Sequence, residues 1–379
     1  MNRIDLSGRR WALAFAALAS LSVAACHGNE DWEPMATQKI YVADRFYDLV
    51  MLGPKEAIVI GYDGKLLSTA DMGASWNVID SGTEAALYSI DMAPDKKTGW
   101  IVGQESTILR TTDGGKSWQR QDAKMYMNDE CREQGGDPEA TEESNKCPLA
   151  PLFALSVIDE NNAIAVGDRS TVARTTDGGK TWTATTLKPT LTEELDENAM
   201  IAFEDPVLYD VQFVDGQTGF VVGEFGKIMK TTDGGKSWTE KQSSLVGEEY
   251  IDIMDLPTFF DVEVRGNTAY VAGLDGRVAT SNDGGESWTW VAHNIKEYDA
   301  PFYSVALVPD GSVWAVGASG QAVYAPPGGP LGKGNLGTQV NNWIREVKFY
   351  DEKVGWMVGG FGFIMNTNDG GKTWFRRIG

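Results

Sequence analysis

An eight-residue motif that recurs along the chain constrains the fold more than any other feature of the sequence. One copy reads TTDGGKSW at residues 111–118, and a Val-Gly pair ends ten residues before its aspartate. The copies cover residues 69–76, 111–118, 175–182, 231–238, 281–288 and 367–374, the first being the least regular. A seventh apolar-Gly pair, Val316-Gly317, has no motif behind it. Such self-similarity indicates an array of supersecondary units that bury a shared core by packing against one another.

The spacing and content of these units predict the architecture. Gly61 and Gly103 stand 42 residues apart, and seven units fill residues 38–379. Each unit holds four strand-like segments: the first carries an aromatic residue among alternating apolar ones, and the second ends at the glycine. The third segment leads to the aspartate and the fourth begins at the tryptophan. Four antiparallel strands repeated at this period predict an all-β fold, a seven-bladed β-propeller.

The repeated unit also carries a family resemblance. Ser/Thr-x-Asp-x-Gly-x-Ser/Thr-Trp resembles the Asp-box, or bacterial neuraminidase repeat, and the unit with its Val-Gly pair resembles the photosystem II stability and assembly factor family. The resemblance covers essentially the whole mature chain and implies a seven-bladed propeller. Members of that family act as partners of membrane protein complexes, and related bacterial lipoproteins are associated with resistance-nodulation-division transporters. The resemblance therefore implies a non-catalytic accessory or assembly partner of a membrane protein complex, with no cofactor.

We expect the Asp-box turns to be structural. The aspartate can accept hydrogen bonds from its own turn, the glycines permit positive φ, and the tryptophan can wedge between blades. The residues concerned are Asp71, Asp113, Asp177, Asp233, Asp283, Asp369, Trp76, Trp118, Trp182, Trp238, Trp288 and Trp374. A calcium loop needs further carboxylates at alternate positions, which the motif lacks. We therefore expect no metal at these turns.

The N-terminus has the pattern of an export signal. Three arginines precede an apolar stretch at residues 12–25, which is short for a membrane span, and the stretch ends in VAAC at residues 23–26. This ending resembles a bacterial lipobox, which implies a signal peptide at residues 1–25, lipidation of Cys26 and a tether at residues 26–37. The alternative is an ordinary secretory signal with a chance cysteine.

The residue after Cys26 bears on the membrane in which the anchor would lie. His27 stands where an aspartate would resemble an inner-membrane retention signal. We therefore expect a periplasmic protein anchored in the inner leaflet of the outer membrane. Two further cysteines, Cys131 and Cys147, would then lie in an oxidising compartment, where a disulfide between them persists and contributes about 3 kcal/mol. The alternative is two free thiols.

Charge and histidine content exclude several classes of function. With 33 Lys and Arg against 54 Asp and Glu, the formal net charge is −21, so we expect no nucleic-acid partner. The chain contains only two histidines, His27 and His293, which argues against a Ser-His-Asp enzyme and against a multi-histidine zinc site.

Four long insertions connect successive blades. They cover residues 122–150, 188–207, 243–257 and 326–342, and we expect all four on the face opposite the Asp-box turns. Long connections on an economical scaffold are often functional. Their acidic and apolar residues are candidates for partner binding: Glu193, Glu194, Asp196, Glu197, Phe203, Glu248, Glu249 and Tyr250. The alternative is that these loops pack on their own scaffold.

Acidic residues also recur near the start of the first strand. They are Asp48, Asp210, Asp261 and Glu346, with Ser89, Ala154 and Ser304 at the matching positions of the other units. If these side chains point inward, they form a partial acidic ring at the mouth of the channel, on the inserted face. Such a ring could bind a cation, a basic peptide or a sugar, and the alternative is a water-filled channel with solvated polar walls. On the third strands, basic residues recur at Arg110, Arg174 and Lys230.

Two further functions compete with partner binding. A glycan- or peptidoglycan-binding module would need exposed aromatic residues along a groove, for which Phe225, Phe361 and Trp343 are candidates. A sialidase-like glycoside hydrolase would need two carboxylates held about 5 to 9.5 Å apart. The sequence lacks the Arg-Ile-Pro segment of sialidases and has seven units rather than six blades, so we expect no enzymatic activity.

Overall fold

The structure is a computed structural model that describes residues 39–123, 149–187, 206–292 and 300–377. The described strands form seven sheets, each built from four consecutive antiparallel strands. The predicted seven-bladed, all-β propeller is thereby confirmed. It occupies the compact unit Ile40–Gly379. Among the described residues, no helix has the length and apolar character that crossing a bilayer requires.

The first four blades contain sixteen strands. These are β1 (Phe46–Met51), β2 (Ala57–Gly61), β3 (Leu66–Thr69), β4 (Asn77–Val78), β5 (Leu87–Met92), β6 (Gly99–Gly103), β7 (Ile108–Thr111), β8 (Gln119–Arg120), β9 (Leu152–Val157), β10 (Ala163–Gly167), β11 (Thr171–Thr175), β12 (Thr183–Thr186), β13 (Leu208–Phe213), β14 (Gly219–Gly223), β15 (Ile228–Thr231) and β16 (Thr239–Glu240).

The last three blades contain twelve strands. These are β17 (Phe259–Arg265), β18 (Thr268–Gly273), β19 (Val278–Ser281), β20 (Thr289–Trp290), β21 (Phe302–Leu307), β22 (Val313–Gly317), β23 (Ala322–Ala325), β24 (Gly332–Lys333), β25 (Ile344–Phe349), β26 (Gly355–Gly359), β27 (Phe363–Thr367) and β28 (Phe375–Arg376). Short 3₁₀ helices cover Gln104–Ser106, Gln242–Leu245, Ile253–Asp255, Leu274–Gly276 and Ala318–Gly320.

The first strand of each blade lies innermost, beside the first strand of the next blade, and β25 lies beside β1. No strand is exchanged between the described ends of the chain, since the last sheet is β25 to β28 alone. The ring closes instead through side chains and loops. Lys348 Nζ lies 2.5 Å from Asp48 Oδ1, and Asn366 Nδ2 donates to the Met72 carbonyl at 2.7 Å.

The fourth strand of the sixth blade accounts for part of one predicted insertion. Residues 326–342 contain β24, which pairs with β23, and they also bury Leu331 and Leu336. The segment is therefore partly a blade strand and not wholly a blade-to-blade connection, which corrects its interpretation as an insertion. A strand of two residues is too short to show a strand pattern in the sequence.

The core lies between blades. Second strands such as β2 and β26 are buried at every position, because one blade packs on each side of them. Each Asp-box tryptophan belongs to a cluster with side chains of the preceding blade. Trp76 packs edge-on against Trp356 with ring centroids 6.0 Å apart, and Trp238 packs in the same cluster as Ile164.

A bulge recurs in all seven first strands, between the first and third residues. The glycine that ends the second strand makes it possible. A Cβ on Gly61 would lie 2.1 Å from the Arg45 carbonyl oxygen, and that oxygen accepts the Tyr62 amide at 2.9 Å. The other six glycines show the same approach, with the added Cβ 2.0 to 2.3 Å from a carbonyl oxygen. Since only glycine fits, the apolar-Gly pair of the sequence marks this close approach.

We predict that Trp238→Ala lowers the free energy of unfolding by about 3 to 5 kcal/mol, because it leaves a cavity between two blades. Trp238 is only 8% exposed, whereas Phe375 is 47% exposed on an outer strand. The control Phe375→Ala should cost less than about 1 kcal/mol. Chemical denaturation measures both values. Equal, small losses in the two variants would contradict the packing role of the tryptophan.

Candidate functional site

The two faces of the propeller differ in their loops. Loops between second and third strands donate hydrogen bonds to the segment that enters the next blade, as from the Ser106 amide to the Ala150 carbonyl at 3.0 Å. These loops and the blade connections therefore share one face, which we call the mouth face. The Asp-box turns bond to the loops between first and second strands, as from Gly114 N to Lys97 O at 2.9 Å. They lie on the opposite face, the Asp-box face.

Aromatic side chains surround the channel at the mouth face. They occupy the second position of the first strand, directly at the bulge, and all are half-buried. Six blades contribute Tyr47, Tyr88, Phe153, Tyr209, Phe260 and Tyr303, and the seventh contributes Arg345. Successive ring centroids from Tyr47 to Tyr303 are 5.0 to 5.8 Å apart. We call this set the aromatic ring.

The seventh blade completes the aromatic ring with a cation and a neighbouring indole. The Arg345 guanidinium lies 5.9 Å from the Tyr303 ring centroid, and Trp343 stacks on Tyr47 with centroids 5.9 Å apart and an interplanar angle of 12°. Sequence reasoning missed this ring as a site, although it noted an aromatic residue in the first strands. A bulge of this kind re-aims side chains, and its effect cannot be read from alternation alone.

The predicted acidic residues lie behind the aromatic ring, in the channel wall, and not at the mouth itself. Their carboxylates bond to a neighbouring blade. Asp48 accepts the Ile90 amide at 2.9 Å, and Asp261 accepts the Val305 amide at 2.6 Å. In the same way, Asp210 bonds to the Val262 amide and Glu346 to the Ser304 hydroxyl. These groups therefore point into the channel, where they line a cavity of about 360 Å³, and they also bridge blades. Their role in binding stays a prediction.

A second layer of polar residues, which sequence reasoning missed, lies deeper in the channel at the fifth position of the first strands. Asp91 accepts the Val157 amide at 2.7 Å, and Glu263 accepts a hydrogen bond from the Gln212 amide group at 3.2 Å. Lys348 belongs to this layer and pairs with Asp48. The fifth position holds a different residue type in nearly every blade, so no repeated pattern marks it in the sequence.

Burial raises the pKa of four of the channel carboxylates. Desolvation is the main cause that raises the pKa of Asp91 to about 6, of Glu263 to about 7 and of Glu346 to about 8. Burial also raises the pKa of Asp210, and the adjacent Asp261 carboxylate raises it further.

In Lys348, neighbouring charges affect the pKa more than burial does. Burial alone would lower the pKa of its ammonium group, but the Asp48 and Glu346 carboxylates outweigh burial and raise it. The Lys348 side chain nevertheless remains 40% exposed, so water enters the channel and screens these charges.

The Asp-box carboxylates are saturated by their own turns. Asp71 accepts the Ser75 hydroxyl at 2.5 Å, the Ser75 amide at 2.9 Å and the Thr69 hydroxyl at 2.8 Å. These hydrogen bonds, led by that of the Ser75 hydroxyl, lower the pKa of Asp71 to about 2. The other five boxes repeat the arrangement around Asp113, Asp177, Asp233, Asp283 and Asp369. Among the described residues, no three His, Cys, Asp or Glu side chains converge as a metal ion would need.

The recurrent cations of the third strands also serve the Asp-box face. Arg110 stacks on Trp100 at 5.3 Å, and Lys230 donates to the Gly284 carbonyl, in the next Asp-box turn, at 2.7 Å. Lys230 also pairs with Glu286 at 2.5 Å. These cations support neighbouring turns and lie away from the channel mouth.

The insertion at residues 243–257 packs on its own scaffold. The Trp290 indole donates to the Leu245 carbonyl at 3.1 Å, and the Tyr250 ring packs at a tilt against Trp290, with centroids 5.2 Å apart. Glu249 pairs with Arg277. Glu248 is exposed beside it. The remaining candidates of the insertions, and the cysteines, lie outside the described residues: Cys26, Cys131, Cys147, Glu193, Glu194, Asp196, Glu197 and Phe203.

Exposed apolar side chains concentrate on the mouth face. Ten large hydrophobic residues are exposed in the described part of the chain, and six of them lie in its loops and blade connections. These six are Tyr41, Val42, Tyr62, Ile251, Leu274 and Phe361. Phe361 is 56% exposed and Tyr62 50% exposed, on the loops of the last and first blades. Phe361 and Phe225 both adopt positive φ, which is uncommon for bulky residues.

The chain matches a family model over slightly more than half of its length. The model is described as Photosynthesis system II assembly factor YCF48, and it matches residues 68–134 and 193–325. A curated relative, photosystem II assembly lipoprotein Ycf48 of Synechococcus sp. (strain CC9902), is 31% identical over 99 residues. That alignment covers 26% of this chain and 26% of the relative, so it spans about a quarter of either protein.

Solved structures show the same fold. YCF48 bound to D1 peptide is 18% identical, with a TM-score of 0.54, over 77% of this chain and 81% of that one. YCF48 from Cyanidioschyzon merolae is 20% identical, with a TM-score of 0.54, over 77% and 84%. An ancestral GH74 enzyme is 11% identical, with a TM-score of 0.61, over 91% of this chain and 47% of that one. At these identities the likeness concerns the fold alone.

The channel carboxylates should make stability fall as pH rises. Between the ordinary pKa of glutamate, near 4.3, and the raised pKa of about 8, folded Glu346 binds more protons than the unfolded chain does, so the free energy of unfolding decreases with pH. We predict that Glu346→Gln removes about 1 to 2 kcal/mol of that decrease between pH 5 and 8.5, a value reduced by water in the channel. Denaturation at several pH values measures it.

Glu286 provides a control of opposite sign. Hydrogen bonds from Lys230 and Lys241 lower the pKa of Glu286, so its contribution to stability is present above pH 4.3 and is lost on acidification. Glu286→Gln should therefore lower stability at neutral pH. A Glu346→Gln profile parallel to that of the wild type would contradict the assigned burial of the channel carboxylate.

Proposed function

The chain belongs to the photosystem II assembly factor YCF48 family, and on this premise we propose that it is an accessory or assembly factor that binds a segment of a membrane protein complex on its mouth face. The concentration of exposed apolar and aromatic side chains on the mouth face supports this most directly. Apolar patches rimmed by polar residues commonly mark protein interaction sites.

The two faces differ in what they offer a partner. On the Asp-box face, the repeated carboxylates are occupied by hydrogen bonds within their own turns, and the cations of the third strands support neighbouring turns. On the mouth face, Tyr62 and Phe361 expose about half of their surface, and Trp343 stacks on Tyr47. Aromatic residues of this kind supply much of the binding energy in protein interfaces. The mouth face is therefore the better candidate for docking.

A non-catalytic role accords with the geometry of the channel carboxylates. Glycoside hydrolysis uses two carboxyl groups about 5 to 9.5 Å apart, with a free acid and a free base or nucleophile. Asp210 and Asp261 instead lie so close together that the Asp261 carboxylate raises the pKa of Asp210, and each accepts a backbone amide of the next blade. This arrangement favours a structural role for the pair, although an ancestral GH74 enzyme shares the fold.

The location and the partner remain proposals drawn from the sequence. Lipidation of Cys26 would anchor the propeller in the periplasmic leaflet of the outer membrane, since multiple acyl chains give a stable anchor. The complex proposed as partner is of the resistance-nodulation-division transporter type. In this setting the propeller would lie within reach of periplasmic segments of the complex.

Glycan binding is the second candidate. Trp343 stacks on Tyr47, and Phe361 is exposed on the adjacent loop, so aromatic faces on which a sugar ring could stack lie together at the mouth. Arrays of peptidoglycan fragments and other glycans, probed with the purified propeller, test this candidate. Binding that disappears in Phe361→Asn would favour a glycan ligand over a protein segment.

The proposed docking face can be tested with two matched double variants. We predict that Tyr62→Ser with Phe361→Asn abolishes co-purification of a stoichiometric membrane protein complex from gently solubilised envelopes. Asn is chosen at position 361 because it tolerates the positive φ of 57°. Mass spectrometry identifies the companions, and thermal denaturation verifies that the variant remains folded.

The control changes the same residue types elsewhere on the surface. Tyr350 is 37% exposed on the Asp-box face and Phe375 is 47% exposed on an outer strand, so Tyr350→Ser with Phe375→Ser should retain the complex. Loss of the complex in the control alone would move the interface away from the mouth. A wild-type protein that purifies without a companion would refute the assembly role.

A further inference from the structure

We propose that the channel mouth receives a cationic side chain, a lysine or an arginine carried by the docked segment, which the aromatic ring surrounds and the channel carboxylates neutralise. This inference rests on the proposed function only in assuming that the cationic side chain belongs to a protein partner. It assigns a chemical specificity to the channel that the docking face alone does not have.

The shape of the site suits one side chain. The cavity behind the aromatic ring measures about 360 Å³, at the lower end of the range of about 300 to 1,000 Å³ found for small-molecule pockets. Tyr88, Phe153 and Tyr209 present half-buried rings in a continuous chain of contacts around the entrance. Arrays of aromatic faces attract organic cations through the ring quadrupole, and more strongly where water is reduced.

The charges in the channel complement such a guest. Its walls carry six carboxylates among the described residues, Asp48, Asp91, Asp210, Asp261, Glu263 and Glu346. The opposing cations on the packed strands are Lys348, which pairs with Asp48, Arg345, which lies in the aromatic ring, and Arg265, which lies 3.8 Å from Glu263. The excess is therefore three negative groups when all are ionised.

The carboxylates can bind a guest without giving up their contacts between blades. A carboxylate offers about four acceptor positions, and a hydrogen bond from a neighbouring blade uses one of them. Asp261 accepts the Val305 amide, and the hydroxyl of the adjacent Ser304 donates to Glu346 and accepts the Val347 amide, so both carboxylates flank the same part of the channel. Charge-assisted hydrogen bonds from a guanidinium or ammonium group are about twice as strong as neutral ones.

Binding of the cation should be coupled to proton release. Burial leaves Glu346, with a pKa of about 8, and Glu263, with a pKa of about 7, largely or partly protonated at neutral pH. An incoming cation favours the ionised form and so displaces protons. Affinity should therefore rise with pH between about 6 and 9, while the arginine of the guest stays charged throughout.

The test uses a capped pentapeptide, acetyl-Gly-Gly-Arg-Gly-Gly-amide, and the same peptide with citrulline in place of arginine. Isothermal titration of the propeller at low salt should detect the arginine peptide, with binding at least about tenfold weaker for the neutral citrulline peptide. Titrations in two buffers of different ionisation enthalpy should show protons released on binding. Equal affinity for both peptides, or no detectable binding of either, overturns the inference.

Three variants separate the contributions. Glu346→Gln should weaken binding of the arginine peptide about tenfold and reduce proton release, and Phe260→Leu, which keeps apolar bulk without a π face, should weaken it about threefold. Glu352→Gln, an exposed residue outside the channel, should leave affinity unchanged. Unchanged affinity in Glu346→Gln would contradict the assigned role of the channel.

The same variants distinguish this inference from the proposed function. If the membrane complex co-purifies equally with the wild type and with Glu346→Gln, while the arginine peptide fails to bind, docking stands and the cation site falls. If the peptide binds but no complex co-purifies, the cation site stands and the assembly role falls.

Discussion

The close approach of backbone at the end of each second strand is the constraint on which the rest of the molecule depends. At Gly61 and its six equivalents, the carbonyl oxygen of the residue before the first strand occupies the position that a Cβ atom would need. That carbonyl accepts the next amide, and the first strand bulges as a result. The bulge turns the second residue of the first strand toward the channel. The seven glycines of the second strands therefore determine the direction of six aromatic side chains and Arg345 on the first strands.

The carboxylates of the channel both hold neighbouring blades together and set the charge of the cavity. Among the described residues no strand is exchanged to close the ring, and channel carboxylates help to hold neighbouring first strands together by accepting amides across the gap. Burial in this space raises the pKa values of Asp91, Asp210, Glu263 and Glu346, so stability should fall and binding of a cation should strengthen as pH rises. The same groups thus close the propeller and give its channel a preference for cations.

Much of this fold could be predicted from the sequence, because the Asp-box and the apolar-Gly pair each report a local backbone requirement. The Thr69, Asp71 and Ser75 hydrogen bonds, for example, follow from residues within one turn. The aromatic ring could not be predicted as a site, because the direction of Tyr47 depends on a glycine in a different strand. Asp91 and Glu263 have no counterparts of like type in the other blades, and β24 is too short to leave a pattern.

The central claim, that a partner docks on the mouth face, is tested most directly by site-specific photo-crosslinking in intact cells. A photoreactive phenylalanine analogue would replace Tyr62 on the mouth face in one strain and Tyr350 on the Asp-box face in another. The account predicts a crosslink to a membrane protein from position 62 and none to that protein from position 350. A crosslink from position 350 alone would place the interface on the opposite face and contradict it.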